Sequence, residues 1–146
     1  MSKAEIAISR FEEGALCSQS VFTAFSEELG LDRETASKIA TPFGGGMSLM
    51  GEVCGAVTGA LMAIGLKHGN QSNWRAEDSQ KEKTYAVSAS FVQEFRKRNG
   101  SIKCRDLLGL DISTPEGRQA AREGNLYLKL CPNFVRDAAE ILEESC

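Results

Sequence analysis

The stretch Thr41-Pro-Phe-Gly-Gly-Gly-Met-Ser-Leu-Met-Gly-Glu-Val-Cys-Gly-Ala-Val-Thr-Gly-Ala-Leu-Met-Ala-Ile-Gly-Leu66 runs from a proline-glycine loop into a glycine-marked apolar segment that carries Cys54. Read as a helix from about Met47 to Lys67, it puts Gly51, Gly55, Gly59 and Ala63 on one stripe, because residues four apart lie one above the other. That face has almost no side chains. Glycine costs roughly 1 kcal/mol against alanine in a helix interior, so glycines in register imply that another backbone, or a cofactor, comes close. Cys54 lies beside the stripe, where a partner helix could bring a second thiol.

Within this stretch, Cys54-Gly-Ala-Val-Thr-Gly59 resembles the CGAxxG signature of the C_GCAxxG_C_C family, small bacterial and archaeal proteins to which redox activity is ascribed. The family pattern has one cysteine before the signature and two after it, matched here by Cys17, Cys104 and Cys131. Phe43-Gly-Gly-Gly46 before it and Gly59-Ala-Leu-Met-Ala-Ile-Gly65 after it are similar as well. The resemblance spans nearly the whole chain and implies a chemical theme, thiol redox, without a named substrate.

The 146 residues are the size of one domain, 1–146, and can bury about two-thirds of their unfolded surface. The net charge of -3 comes from mixed signs, which points away from nucleic acid and from a polybasic membrane surface. The start, Met1-Ser-Lys-Ala-Glu, has charges where a signal peptide has its apolar core, so the expected location is cytoplasmic and the thiols reduced at rest. Met47 to Leu66 has the length of a membrane span and one charge, Glu52. It is rich in Gly, Ala, Ser and Thr rather than Leu and Ile, and a buried central helix answers its composition better.

Outward from the centre, the apolar spacing predicts an all-α bundle. A first helix is expected over about Ser2 to Leu29, weakened at Gly14 and stopped by Gly30, and a second from the N-cap Asp32 through Ile39. Gly44, Gly45 and Gly46 then form a loop that is either an anion- or cofactor-binding turn or simply a tight turn between helices. No Walker motif accompanies it. The central helix should end with Lys67 and His68 at its negative pole, and this lone histidine reads first as a capping cation. Asn70-Gln71-Ser72 matches a glycosylation sequon, which has no meaning in a cytoplasmic protein. A third helix is expected from about Asn73 to Arg98, closing on Arg96-Lys-Arg98. Thr114 caps a further helix with Pro115 at its first position, and Cys131-Pro132 opens the last one, with Cys131 itself as the N-cap.

Chemistry needs the thiolate, and a thiolate at neutral pH needs positive potential. Helix-start amides should supply it to Cys131, and Lys103, Arg105 and the Arg96–Arg98 run to Cys104, so these two are expected to react first. Cys54 inside an apolar helix reads as their buried partner. Taken alone, Cys17 and Cys54 would read as core; Cys146, outside the family pattern, reads as incidental. No Cys-x-x-Cys is present, which excludes a thioredoxin-like site, a zinc ribbon and a c-type haem attachment site. With one histidine and no distinctive carboxylate pair, hydrolysis is not indicated. Three readings remain. Cys17, Cys54, Cys104 and Cys131 form one thiol-disulfide site, needing no cofactor and serving an unnamed redox partner. Or the same four ligate zinc or an iron-sulfur cluster. Or the chain is a non-catalytic helical module whose glycine stripe is a homodimer or partner surface.

Overall fold

The computed structural model describes residues 1–70, 74 and 79–145 and is all-α. Cys146, the Gln71-Ser72 part of the sequon and the expected start of the third helix near Asn73 lie outside the described residues. The helices are α1 (Lys3–Glu12), α2 (Cys17–Ser26), α3 (Arg33–Ala40), α4 (Gly55–His68), α5 (Ser79–Asn99), α6 (Cys104–Leu108), α7 (Pro115–Glu123) and α8 (Leu126–Ser145). Among the described residues no helix is long and apolar enough to cross a membrane.

The expected first helix is two. Gly14 adopts φ 110°, Leu16 is extended, and the chain restarts as α2 with Cys17 as its first residue. A left-handed glycine ends one helix at no steric cost and lets the next begin at a new angle. Gln19 Oε1 accepts from the Leu16 N–H at 2.9 Å, and this takes up an amide that the restart would otherwise leave open. At the other end Gly30, at φ 91°, closes the turn into α3, whose cap Asp32 accepts from the Thr35 N–H at 2.9 Å.

The expected central helix is shorter than its apolar run. It begins at Gly55 rather than Met47, and Gly51 lies outside it with φ 70°. Gly55 and Gly59 remain on one face of α4, and that face is packed on α2. A Cβ at Gly59 would lie 2.6 Å from the Ser18 carbonyl oxygen, and one at Gly55 would run into Cys17 Sγ. The stripe is therefore filled by a helix of the same chain. Buried on nearly every side, α2 and α4 together form the centre. The hydroxyls that α2 carries inside are satisfied: Ser18 Oγ donates to the Ala40 carbonyl at 2.8 Å, Ser20 Oγ to Leu16 at 2.8 Å and Thr23 Oγ1 to Gln19 at 2.7 Å.

Around this pair, α1, α5 and α8 complete the core, in which Val57 and Ile64 of α4, Phe91 and Phe95 of α5, and Val135 and Leu142 of α8 are all essentially out of contact with water. A side chain of this kind contributes about 1.5–3 kcal/mol on burial. Arg98 on α5 reaches Glu94 on its own helix and Asp137, Glu140 and Glu144 on α8, so the last residue of the basic run docks two helices. Glu143 Oε1 accepts from the Ala4 N–H at 2.9 Å, tying the start of α1 to the end of α8. A second, smaller core beside the first is formed by Cys104, Leu108, Ile112 and Ala121, with Tyr127 and Cys131 packed against it.

Candidate functional site

Cys17 stands at the junction of α2, α4 and the glycine loop. The Cys54 thiol and the backbone N–H groups of Ser18, Gly45 and Cys17 itself act as donors that favour its ionised sulfur. The first of these donors is the largest influence, and against the opposing effect of burial they bring the thiol down to about 7. Cys54 is the N-cap of α4 and is 5% exposed. As the donor to Cys17, and buried, it is held well above its ordinary value. Gly55, the next residue, leaves the room that the Cys17 sulfur occupies. The hexapeptide thus reads as structure: a cysteine that donates, a glycine that admits the second sulfur, and a glycine that admits the backbone beyond it.

Cys104 is fixed to the same frame by backbone pairing. Val53 and Lys103 form an antiparallel bridge, in which the Cys54 N–H donates to the Ile102 carbonyl at 2.7 Å and the Cys104 N–H to the Glu52 carbonyl at 2.6 Å. Cys54 and Cys104 each follow a bridge residue, and both line the same cavity. Arg105 holds this segment in place. Its guanidinium pairs with Glu52 at 2.9 Å and donates to the Gly51 and Met50 carbonyls at 3.1 Å each. With that charge directed at the 50–52 segment, burial dominates at Cys104, which is 8% exposed, and its thiol is pushed up to about 12.

Cys131 is not a helix cap. The apolar periodicity continues backward through Leu130 to Leu126, and α8 begins there, with Pro132 inside it. Proline withdraws only the hydrogen bond to the carbonyl four residues earlier, that of Leu128. Leu128, 61% exposed, stands on the outer side of the helix. Cys131 is governed by burial and then by the charges of Cys17 and Cys104, and it too is pushed up to about 12. These shifts run against the expected order of reactivity: burial raises the Cys104 and Cys131 thiols, while the Cys17 thiol is lowered.

The glycine loop has an unusual backbone. Gly45, Gly46, Met47, Ser48 and Leu49 all have φ between 54° and 68°, a consecutive left-handed turn. L-residues adopt this conformation at roughly 1–2 kcal/mol each, and such strain collects at functional sites. The loop does not lead directly into α4, and the spaces at its glycines are filled. A Cβ at Gly44 would meet the Leu16 side chain at 2.8 Å, and one at Gly46 would meet Cys104 Cβ and the Glu52 nitrogen at 2.7 Å each. What the loop does present is the Gly45 amide, directed at Cys17.

All four cysteines line one cavity of about 490 Å³, enclosed largely by apolar side chains from α1, α2, α6 and α8. Among the described residues, its wall carries charge at Arg118 and Arg122 of α7. Spacing points to neither of these arginines, nor to Tyr127 and Leu16, which also line the cavity, and it points to Gly45 only as part of a turn or anion-binding loop. Among the described residues no group of three or more His, Cys, Asp or Glu side chains is arranged to hold a metal ion. The four thiols share one cavity, and among the described residues they form no such group. His68 ends α4 at the opposite end from Cys54, and its carbonyl accepts from Thr84 Oγ1 at 3.0 Å and from Gln80 Nε2.

An uncharacterized protein of Archaeoglobus fulgidus is 31% identical over 113 residues, covering 73% of this chain and 75% of its own. No solved structure matches the chain at a significant level. The family model described as "Putative redox-active protein (C_GCAxxG_C_C)" matches residues 15–145, a span that takes in Cys17, Cys54, Cys104 and Cys131 together. On that match, the chain belongs to the C_GCAxxG_C_C family.

Proposed function

We propose that the chain carries out thiol-disulfide exchange, with Cys17 as the attacking thiolate and Cys54 as the thiol that resolves the mixed disulfide. The observation that carries this reading is that Cys17 Sγ lies against Gly55, the residue after Cys54, in the cavity that both cysteines line, where the Cys54 thiol is the main influence favouring the Cys17 thiolate. An attacking thiol is most effective when its pKa lies near the ambient pH, and about 7 meets that condition.

In the reducing direction, Cys17 Sγ attacks one sulfur of a substrate disulfide, and the other sulfur leaves as a thiolate. Cys54 gives up its proton, and its sulfur attacks Cys17 Sγ and displaces the second substrate thiolate. One substrate S–S bond is broken and a Cys17–Cys54 disulfide is formed. Two electrons pass from the protein to the substrate, whose thiolates take one proton from Cys54 and one from water. In the oxidising direction every step reverses. Cys104 and Cys131, held protonated, are assigned to the cavity wall against which the substrate sulfurs rest.

Oxidation of the reduced protein with diamide, followed by peptide mapping, tests this. A Cys17–Cys54 disulfide that disappears on reduction is expected, and Cys146→Ser should leave it unchanged. A disulfide confined to Cys104 and Cys131, or none within the chain, would overturn the assignment.

A further inference from the structure

We infer that the cavity takes a small disulfide carried on an apolar chain that ends in a carboxylate, with Arg118 and Arg122 receiving the carboxylate. This rests on the thiol-disulfide reading and names the substrate class for it.

Size and lining come first. About 490 Å³ lies within the range of small-molecule sites, roughly 300–1,000 Å³. Leu16, Leu49, Leu107, Leu108, Leu128 and Phe134 give it an apolar body, suited to a hydrocarbon chain rather than to a peptide-like polar molecule. The protein has a net charge of -3, yet no Asp, Glu, Lys or His lines this cavity among the described residues. Its charged side chains are Arg118 and Arg122, four residues apart and hence on one face of α7. Among the described residues neither guanidinium is ion-paired with a carboxylate. Arg118 Nη1 donates to the Ile112 carbonyl at 3.0 Å, which orients it and leaves its other donors available. Two cations that pair with no carboxylate among the described residues, lining an apolar cavity, are the recognition chemistry of an anionic head on an apolar body. The reactive Cys17 sulfur lines the same cavity, so a ligand held by its carboxylate presents its disulfide to that sulfur.

The chemistry is the same exchange, with a cyclic disulfide as the substrate. Cys17 opens the ring, Cys54 closes on Cys17, and the ligand leaves as a dithiol with two electrons, one proton from Cys54 and one from water.

Lipoate is a suitable probe, lipoamide its uncharged counterpart, and octanoate a carboxylate of similar length without sulfur. Rapid mixing of the reduced protein with each disulfide, quenched and mapped by mass spectrometry, gives the rate of Cys17–Cys54 disulfide formation. Lipoate should react faster than lipoamide. The double variant Arg118→Gln/Arg122→Gln should lose roughly ten- to a hundredfold of the lipoate rate, the order expected for lost charge-assisted contacts, and much less of the lipoamide rate, so that the ratio of the two collapses. Octanoate should slow alkylation of Cys17 by iodoacetamide in the wild type and not in the double variant. Equal rates for lipoate and lipoamide, unmoved by the double variant, would overturn the substrate class while leaving the exchange chemistry in place. Protection by octanoate with no disulfide formed by any oxidant would overturn the exchange chemistry and keep the carboxylate site. No protection by octanoate and no charge dependence would remove the site itself.

Discussion

At the residue scale the site depends on how four thiols divide their protons. Cys17 is stabilised as the thiolate by the Cys54 thiol and by backbone amides, so its alkylation rate should rise through a midpoint near pH 7, ahead of every other described cysteine. Alkylation at stepped pH, read site by site by mass spectrometry, checks this. Cys54→Ala removes the principal donor and should move that midpoint upward; a midpoint that stays put would mean that the amides suffice. The opposite shifts at Cys104 and Cys131 have a consequence for stability. The unfolded chain releases these protons near pH 9 while the folded protein keeps them until about 12, so the folded state binds more protons across that window. Stability should therefore decline as pH rises from about 9 toward 12, and Cys104→Ala should flatten the decline in denaturant titrations. The sequence makes the four cysteines legible as a set, because their spacing matches a family pattern. It does not make their roles legible. Neighbouring residues suggest ionisation at Cys104 and Cys131, whereas burial and contacts from distant segments decide it.

At the scale of elements, what misleads is the left-handed turn. Phe43 to Gly51 has the composition of a helix entrance, and nothing in the alternation of apolar residues says that Gly45 to Leu49 wind the other way. The breaks at Gly14 and Gly30 are more legible, since a glycine between amphipathic stretches is a stop signal whether one helix or two is expected. Only the restart at Cys17, with Leu16 in place of a hydroxyl or carboxylate cap, lacks a sequence sign. Three glycines of the central stretch give a graded test. Gly59→Ala drives a Cβ against the Ser18 backbone and should cost about 1–3 kcal/mol. Gly46→Ala adds the left-handed penalty of about 1–2 kcal/mol to a collision with the Glu52 nitrogen. Gly65→Ala, in the same helix as Gly59 but with open space at its Cβ, should instead stabilise by about 0.4–1 kcal/mol. Denaturant midpoints for the three variants rank them directly, and Gly59→Ala behaving like Gly65→Ala would undo the close packing of α2 on α4.

For the whole molecule, the two cores divide the work: the larger, around α2 and α4, fixes Cys17 and Cys54, and the smaller carries Cys104 and Cys131. The all-α class follows from periodicity alone, but the docking of α8 across α1 and α5 rests on pairs such as Glu143 with the Ala4 amide, separated by 139 positions and invisible to local pattern. This arrangement makes the buried thiols reporters of global opening. Leu142 lies in the larger core, is 1% exposed and does not line the cavity. Leu142→Ala should therefore destabilise the protein by about 2–5 kcal/mol, the range for emptying such a site. Where labelling occurs through opening that is fast and reversible, each 1.4 kcal/mol lost multiplies the open population about tenfold. Cys54 and Cys104 should accordingly label faster in Leu142→Ala by the full factor that its denaturant stability gives. Cys17, half-buried and already open to the cavity, should label at the wild-type rate. If Cys17 accelerated in step with the buried pair, its reactivity would depend on unfolding, and the cavity would not be the route by which a substrate reaches it.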